Sequence, residues 1–385
     1  MTKSQISQFD LFEVISRLVE VSVNADFTEV RRIGNALSRY LEENGHTDEA
    51  KRIRTALRKK SSPLRASGHV ESLPVDGKSR IPLVEEQPWP DTPIFLPERA
   101  NEVFNRFVEE VKNSDRLSRE GLTLRPCLLL SGPPGTGKTL FAAHIASRID
   151  RPLYVVRLDS VISSFLGETA KNIRSVFEFF SRKEAVLLLD EMDAIAKMRD
   201  DRHELGELKR VVNTLIQGLD SLDEFSIIIG ATNHPQLLDP AIWRRFPYKV
   251  ELGLPEQKLR SVMWDHFLFS DKGDPSSLKV LGLASEGLTG ADIREIAMAE
   301  RRRAALQEDQ VNLGTIIWSL AEPHSEKSVL PPIHRLSSEQ KRAVSKFLHG
   351  SLSIKQTDIA RILNTSRQAI SSYIKGDEDE SEGKL

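Results

Sequence analysis

The central part of this 385-residue sequence predicts an α/β fold, a mostly parallel sheet covered by helices on both faces. Two observations carry the expectation. Short apolar runs at 127–130, 153–156, 186–189, 227–229 and 250–252 alternate with amphipathic stretches, as strands buried on both faces do. A glycine-rich turn follows the first run and leads into a helical stretch, the strand–loop–helix unit of such sheets.

Taken in order, residues 9–60 read as helices. Leu11, Val14, Ile15, Leu18 and Val19, then Val30, Ile33, Leu37 and Leu41, recur at three- and four-residue intervals. Asn44-Gly45 marks a hairpin before a last helix over 49–57, closing a helical bundle at 1–60. From 61 to 92 the pattern dissolves into Ser, Pro, Gly and charge, which is linker chemistry. The α/β domain is expected at 93–252 and a helical segment at 253–322, turning at Gly290. Pro323 and Pro331-Pro332 mark a second linker at 323–336, followed by a small helical module at 337–376 and an acidic tail at 377–385.

Composition narrows the class. Hydrophobic residues make up 39% and charged ones 29%, a globular balance. A net charge of -2 places any nucleic-acid footprint in a local patch. The single cysteine, Cys127, permits no internal disulfide and reads as a buried strand residue. No apolar run spans a bilayer and the polar start is not a secretory signal, so the expected location is cytoplasmic, away from membranes.

Gly132-Pro133-Pro134-Gly135-Thr136-Gly137-Lys138-Thr139 fits the phosphate-loop pattern GxxxxGK[ST] in full. Its glycines let backbone N–H groups turn toward phosphates at the start of a helix opened by Leu140, whose dipole favours anions. Lys138 is expected on the β- and γ-phosphates of ATP, and the Thr139 hydroxyl on Mg²⁺. The strand at 186–189 ends in Asp190-Glu191: Asp190 to hold the metal shell, Glu191 to polarise the attacking water. Asp193 suits a helix cap as well as catalysis. Asn233, at the end of the 227–229 strand, can hold that water in line.

Together GPPGTGKT, LLLDEMDAI, GATNHP, LDPAIWRRF and GLTGADI resemble the AAA family of ATPases over residues 93–320. The resemblance implies a Rossmann-like sheet of order 5-1-4-3-2, a helical lid, and a ring, usually hexameric, with nucleotide between subunits. It assigns Arg244 and Arg245 to the arginines that reach the neighbouring subunit's site. They are adjacent, as in katanin- and spastin-like members, so which is the principal finger stays open. It also places Gly290 and Ala291 against adenine and His266 against ribose.

Ser163-Ser164-Phe165-Leu166-Gly167 resembles the first pore loop of the protein-remodelling members. Phe165 and Leu166 would grip an extended polypeptide without regard to its sequence; packing of Phe165 between helices is the alternative. Arg199 to Arg202 suit a second pore loop or a solvated turn. Residues 356–373 resemble a helix-turn-helix. Ala360 is small where the helices meet, Asn364 suits a left-handed turn, and Ser366 can cap the second helix. Arg367, Gln368, Ser371, Ser372 and Lys375 then face outward toward a major groove. Seven Lys and Arg stand against two acids over 338–375, a surplus of five.

Two main functional readings fit. One is a ring-forming protein remodeller, its N-terminal helices (loosely similar to microtubule-interacting bundles) recruiting substrate and its C-terminal module tethered to DNA. Its layout is similar to prokaryotic AAA ATPases encoded beside subtilisin-like proteases, which suggests a protease partner. The other is a DNA-directed ATPase of replication or transposition, or a transcription regulator that uses ATP as a switch. Phe165-Leu166-Gly167 and the Gly290-Ala291-Asp292 turn, where DNA-loading relatives carry an arginine, favour the first.

Overall fold

The computed structural model describes residues 17, 27–43, 45–58, 73–77, 79–122, 124–161, 168–181, 183–197, 205–222, 226–321 and 336–375. The chain divides into two compact units, one comprising Met1–Ile94, Val103–Ser131 and Thr139–Val250, the other Phe95–Glu102, Gly132–Lys138 and Glu251–Leu385.

In the first unit α1 (Phe27–Glu43) and α2 (Thr47–Arg58) form a helical hairpin. Gly45, at φ +86°, lets the chain reverse, and His46 N donates to Leu41 O at 2.8 Å, closing α1 with a left-handed cap. Six strands follow: β1 (Glu85–Gln87), β2 (Cys127–Ser131), β3 (Leu153–Arg157), β4 (Val186–Asp190), β5 (Ile227–Thr232) and β6 (Tyr248–Glu251). Their order is β1-β3-β4-β5-β2-β6. Numbering from β2, the core order is 5-1-4-3-2, as the resemblance implies, with β1 added antiparallel at the edge. Parallel pairing sets Cys127 opposite Ile228 and Arg157 opposite Asp190. Among the helices are α3 (Glu98–Lys112), α4 (Lys138–Arg148), α5 (Glu168–Phe180), α6 (Leu205–Ser221) and α7 (Pro240–Trp243). Leu129, Leu187, Ile228, Phe180 and Phe246 are buried in one core. Burial pushes the Cys127 thiol up to about 11, so it is a packed strand residue and not a nucleophile.

The linker expected at 61–92 needs correction where it is described. Leu83 and Val84 are buried in the sheet's core, and Glu85, Glu86 and Gln87 pair with Val155, Tyr154 and Leu153. Two apolar side chains and a free sheet edge were enough to capture this polar segment.

In the second unit α8 (Gln257–Trp264), continued by a π-helical turn over Asp265–Phe269, precedes α9 (Pro275–Ala284), α10 (Gly290–Leu306) and α11 (Leu313–Ala321). Then come α12 (Ser338–Lys346), α13 (Gln356–Ile362) and α14 (Arg367–Lys375). The separate C-terminal module is the second correction. Val344, Leu348, Ile359 and Ile370 lie in the same buried cluster as Trp264, Leu281, Ile293 and Ile316. A helix trio this small cannot enclose a core of its own and closes its apolar face on the preceding helices. Arg361 Nη1 also donates to Ser276 Oγ at 2.8 Å, fastening α13 to the start of α9. Residues 322–335 and the tail from 376 lie outside the described residues.

Candidate active site

β2 runs into the loop Gly132–Lys138, and α4 starts at Lys138. Gly132 and Gly135 have φ of +140° and +78°, in the region L side chains avoid. A Cβ on Gly132 would stand 2.0 Å from the Leu252 carbonyl oxygen, and one on Gly135 2.7 Å from Thr289 Oγ1. The glycines are therefore required twice, by conformation and by space. Thr136 Oγ1 donates to Pro133 O at 2.9 Å, stiffening the turn, while Pro133 and Pro134 are exposed. Lys138 is buried, and its ammonium donates to Gly132 O at 2.8 Å and Pro133 O at 2.9 Å. Leu140 is half-buried in the first turn of α4. Ala291 N donates to Gly135 O at 3.2 Å, which brings the start of α10 against the loop. A capping box between Thr289 and Asp292 starts α10 there.

At the end of β4, Thr139 Oγ1 donates to Asp190 Oδ2 at 3.0 Å. Predicted from motifs fifty residues apart, the two meet as a hydroxyl–carboxylate pair of hard oxygens. That donor set suits Mg²⁺, which binds through few protein oxygens and keeps several waters. Glu191 N donates to Asp190 Oδ1 at 2.9 Å, and Glu191 itself has φ +55°. A glutamate in the left-handed region costs on the order of 1 kcal/mol and marks a position held for its side chain.

Arg157 and Asp159 are site neighbours that sequence reading missed. Arg157 Nη2 donates to Asp159 Oδ2 at 3.1 Å and stands 3.8 Å from Glu191 Oε1. Burial raises the Glu191 carboxyl above its ordinary range, and the charge of Asp159 and a hydrogen bond with it add to the effect. Asp159 is held below its ordinary range: burial opposes this, but the Arg157 guanidinium and the shared hydrogen bonds prevail. The pairing of Arg157 with Asp190 across β3 and β4 brings this trio together.

Asp193 directly precedes the short helix Ala194–Lys197. Buried, it accepts from Thr232 Oγ1 at 3.0 Å and from Asn233 N at 3.1 Å, fixing the strand end that carries Asn233. The two arginines also separate. Asp239 caps α7, accepting from Ala241 N at 2.8 Å. Arg245 then turns back, with Nη2 donating to Asp220 Oδ2 at 2.9 Å and Nη1 to Ala241 O at 3.0 Å. Its hydrogen bonds are the main cause that holds Asp220 below the ordinary carboxylate range. The Arg244 side chain is exposed, and its guanidinium makes no hydrogen bond or ion pair among the described residues. His266 lies with Nδ1 3.2 Å from Asp271 and its ring 5.6 Å from that of Phe95. Phe165, Leu166 and the stretch from Arg199 to Arg202 lie outside the described residues.

Comparison with known proteins gives the family. The family described as ATPase family associated with various cellular activities (AAA) matches residues 128–254. An uncharacterized AAA family ATPase of Sinorhizobium fredii is 37% identical over 61% of this chain and 76% of its own length. A proteasome-activating nucleotidase of Methanopyrus kandleri is 31% identical over 63% of this chain and 58% of its own. An ATP-dependent zinc metalloprotease FtsH of Halothermothrix orenii is 33% identical over 54% of this chain but spans only 35% of itself. No described helix is long and apolar enough to cross a membrane. A 37%-identical relative matched over three quarters of its length joins the phosphate loop in placing this chain in the AAA family, as an ATP hydrolase.

Proposed function

We propose that the chain works as a ring, usually six subunits in this family, that hydrolyses ATP at its subunit interfaces to pull on a protein. The observation that carries the reading is the contrast at 244–245. Arg245 is committed to Asp220, whereas Arg244 offers an unpaired guanidinium to solvent. A permanently charged fork without a partner in its own chain suits a neighbour's γ-phosphate. Arg244 is therefore the principal finger, and Arg245 positions it.

In this mechanism the backbone N–H groups of the loop cradle the phosphates, and Lys138 turns from its own carbonyls to the β- and γ-oxygens. Mg²⁺, when bound by Thr139 and Asp190, neutralises the charge that develops on the phosphate oxygens. Glu191 polarises the attacking water, and Asn233, held by Asp193, orients it. Gly290 and Ala291 bring the start of α10 to the loop, where they contact adenine, and His266 contacts ribose. Protein as substrate is supported by the names of two relatives, a proteasome-activating nucleotidase and an ATP-dependent protease, and by the Phe165-Leu166-Gly167 sequence. A co-encoded protease is the partner this reading favours.

The test uses a fluorescent protein carrying an unstructured tail as substrate. Phe165→Ala is expected to keep ATP turnover and lose the ATP-dependent fall in fluorescence. A Phe165→Ala ring that unfolds the probe at the wild-type rate sinks the pore assignment.

A further inference from the structure

We infer that α13 and α14 form a double-stranded-DNA-binding element built into the second unit's core, with α14 entering the major groove. The inference is independent of the ring reading.

The helix pair has the internal geometry the task needs. α13 ends at Ile362, Asn364 with a φ of +47° turns the chain, and Thr365 N returns a hydrogen bond to Ala360 O at 2.9 Å. Ser366 then starts α14, its Oγ accepting from Ala369 N at 3.2 Å. Ile359, Ala360, Leu363 and Ile370 are buried along the inner side, and the small Ala360 sits where the helices approach. α14 packs on both α12 and α13.

Burial divides α14 into two sides. Ile370 is buried, and Tyr373 and Ile374 pack against the core. Arg367, Gln368 and Ser372 are exposed and Ser371 is half-exposed, a stripe at helical spacing. No large apolar residue interrupts that stripe. Protein-docking faces rely on aromatic or aliphatic anchors, and this one offers none. What it offers is a guanidinium that can bond guanine in pairs, a carboxamide that can do the same for adenine, and short hydroxyls that let a base edge approach. The base-reading positions of such an element are the first outward residues of its second helix, here Arg367 and Gln368.

Charge favours the same occupant. Lys355, exposed at the start of α13, suits a phosphate. From 355 to 375 the sequence has four Lys and Arg and a single acid, the half-buried Asp358. Arg361 is committed elsewhere: its bond to Ser276 and its 3.8 Å approach to Asp274 moor α13 to α9. The reading helix is therefore held by a buried core and by its packing on the moored α13, which lowers the ordering cost of binding.

The experiment is fluorescence anisotropy of the full chain on two labelled duplexes, across a salt series. One is recovered by selection from a randomised library, the other is unrelated. Arg367→Ala and Gln368→Ala are each expected to weaken the selected duplex by about 5–150-fold and to erase most of the preference over the unrelated one. Lys355→Ala is expected to weaken both duplexes alike and to reduce the salt slope by about 0.9. All three variants are expected to keep wild-type ATP turnover, which shows that they fold and separates this outcome from the ring reading. No binding of either duplex at low salt overturns the proposal. So does a double Arg367→Ala, Gln368→Ala variant that keeps the preference, or a face whose substitution alters only binding to a protein.

Discussion

Ile370→Ala probes whether α12, α13 and α14 belong to the second unit's core or stand apart from it. Ile370 has no exposed surface and lies in one cluster with Trp264, Leu281, Ile293 and Ile316. Removing the three outer carbons of a fully buried isoleucine costs about 2–5 kcal/mol, because the lost burial is joined by a cavity that the surroundings only partly fill. In a unit of roughly 150 residues, about 3 kcal/mol lowers the midpoint of thermal unfolding by about 6–12 °C. Calorimetry of the full chain gives the midpoint, and the fluorescence of Trp264 reports whether α8 takes part. With a shared core, the Trp264 signal is expected to move down together with the calorimetric transition. Ser372→Ala, on the exposed side of α14, leaves both in place. A small early transition that Ile370→Ala lowers while the Trp264 midpoint stays fixed would show two independent modules and refute the shared core.

Other substitutions separate binding from chemistry. Lys138→Ala is expected to abolish ATP binding measured by titration calorimetry, whereas Glu191→Gln retains ATP and stalls turnover; tight ATP binding by the lysine variant contradicts its role. Asp193→Ala removes the acceptor that Thr232 and Asn233 use, leaving buried donors unmet at a cost of about 1–3 kcal/mol. Its expected signature is a lowered kcat with little change in ATP affinity, and an unchanged kcat would detach Asn233 from the reaction. Gly132→Ala, whose methyl would strike the Leu252 carbonyl, is expected to give a chain that binds no ATP, read by the same titration.

The sheet was legible because its parallel strands are continuous apolar runs, and the phosphate loop because its spacing is rigidly required. β1 was not, since Glu85, Glu86 and Gln87 carry no strand pattern; they pair because an open edge of β3 accepts any backbone. The union of the C-terminal helices with the rest of their unit was hidden behind the prolines at 323, 331 and 332, which read as a boundary. Their small number of apolar residues was the available clue. At the candidate site, the sequence motifs gave the residues inside them and not the residues that support them. Asp193 gains its role from Thr232, thirty-nine positions on, and Arg157 reaches Glu191 only through strand register. The two adjacent arginines read alike until Asp220, twenty-five positions earlier, claims one of them.

The central claim, that ATP is hydrolysed at a site two subunits share, is tested most directly by mixing two inactive proteins. Arg244→Ala is expected to cut turnover by about 10³–10⁵ while ATP affinity stays nearly unchanged, and Glu191→Gln stalls the site within its own chain. Steady-state ATPase is measured on each variant alone and on mixtures across ratios. Activity in the mixture is expected well above the sum of the two, because some interfaces join an intact Glu191 to a neighbour's intact Arg244. A mixture no more active than its components, or a strictly monomeric preparation turning over at the full wild-type rate, would contradict it.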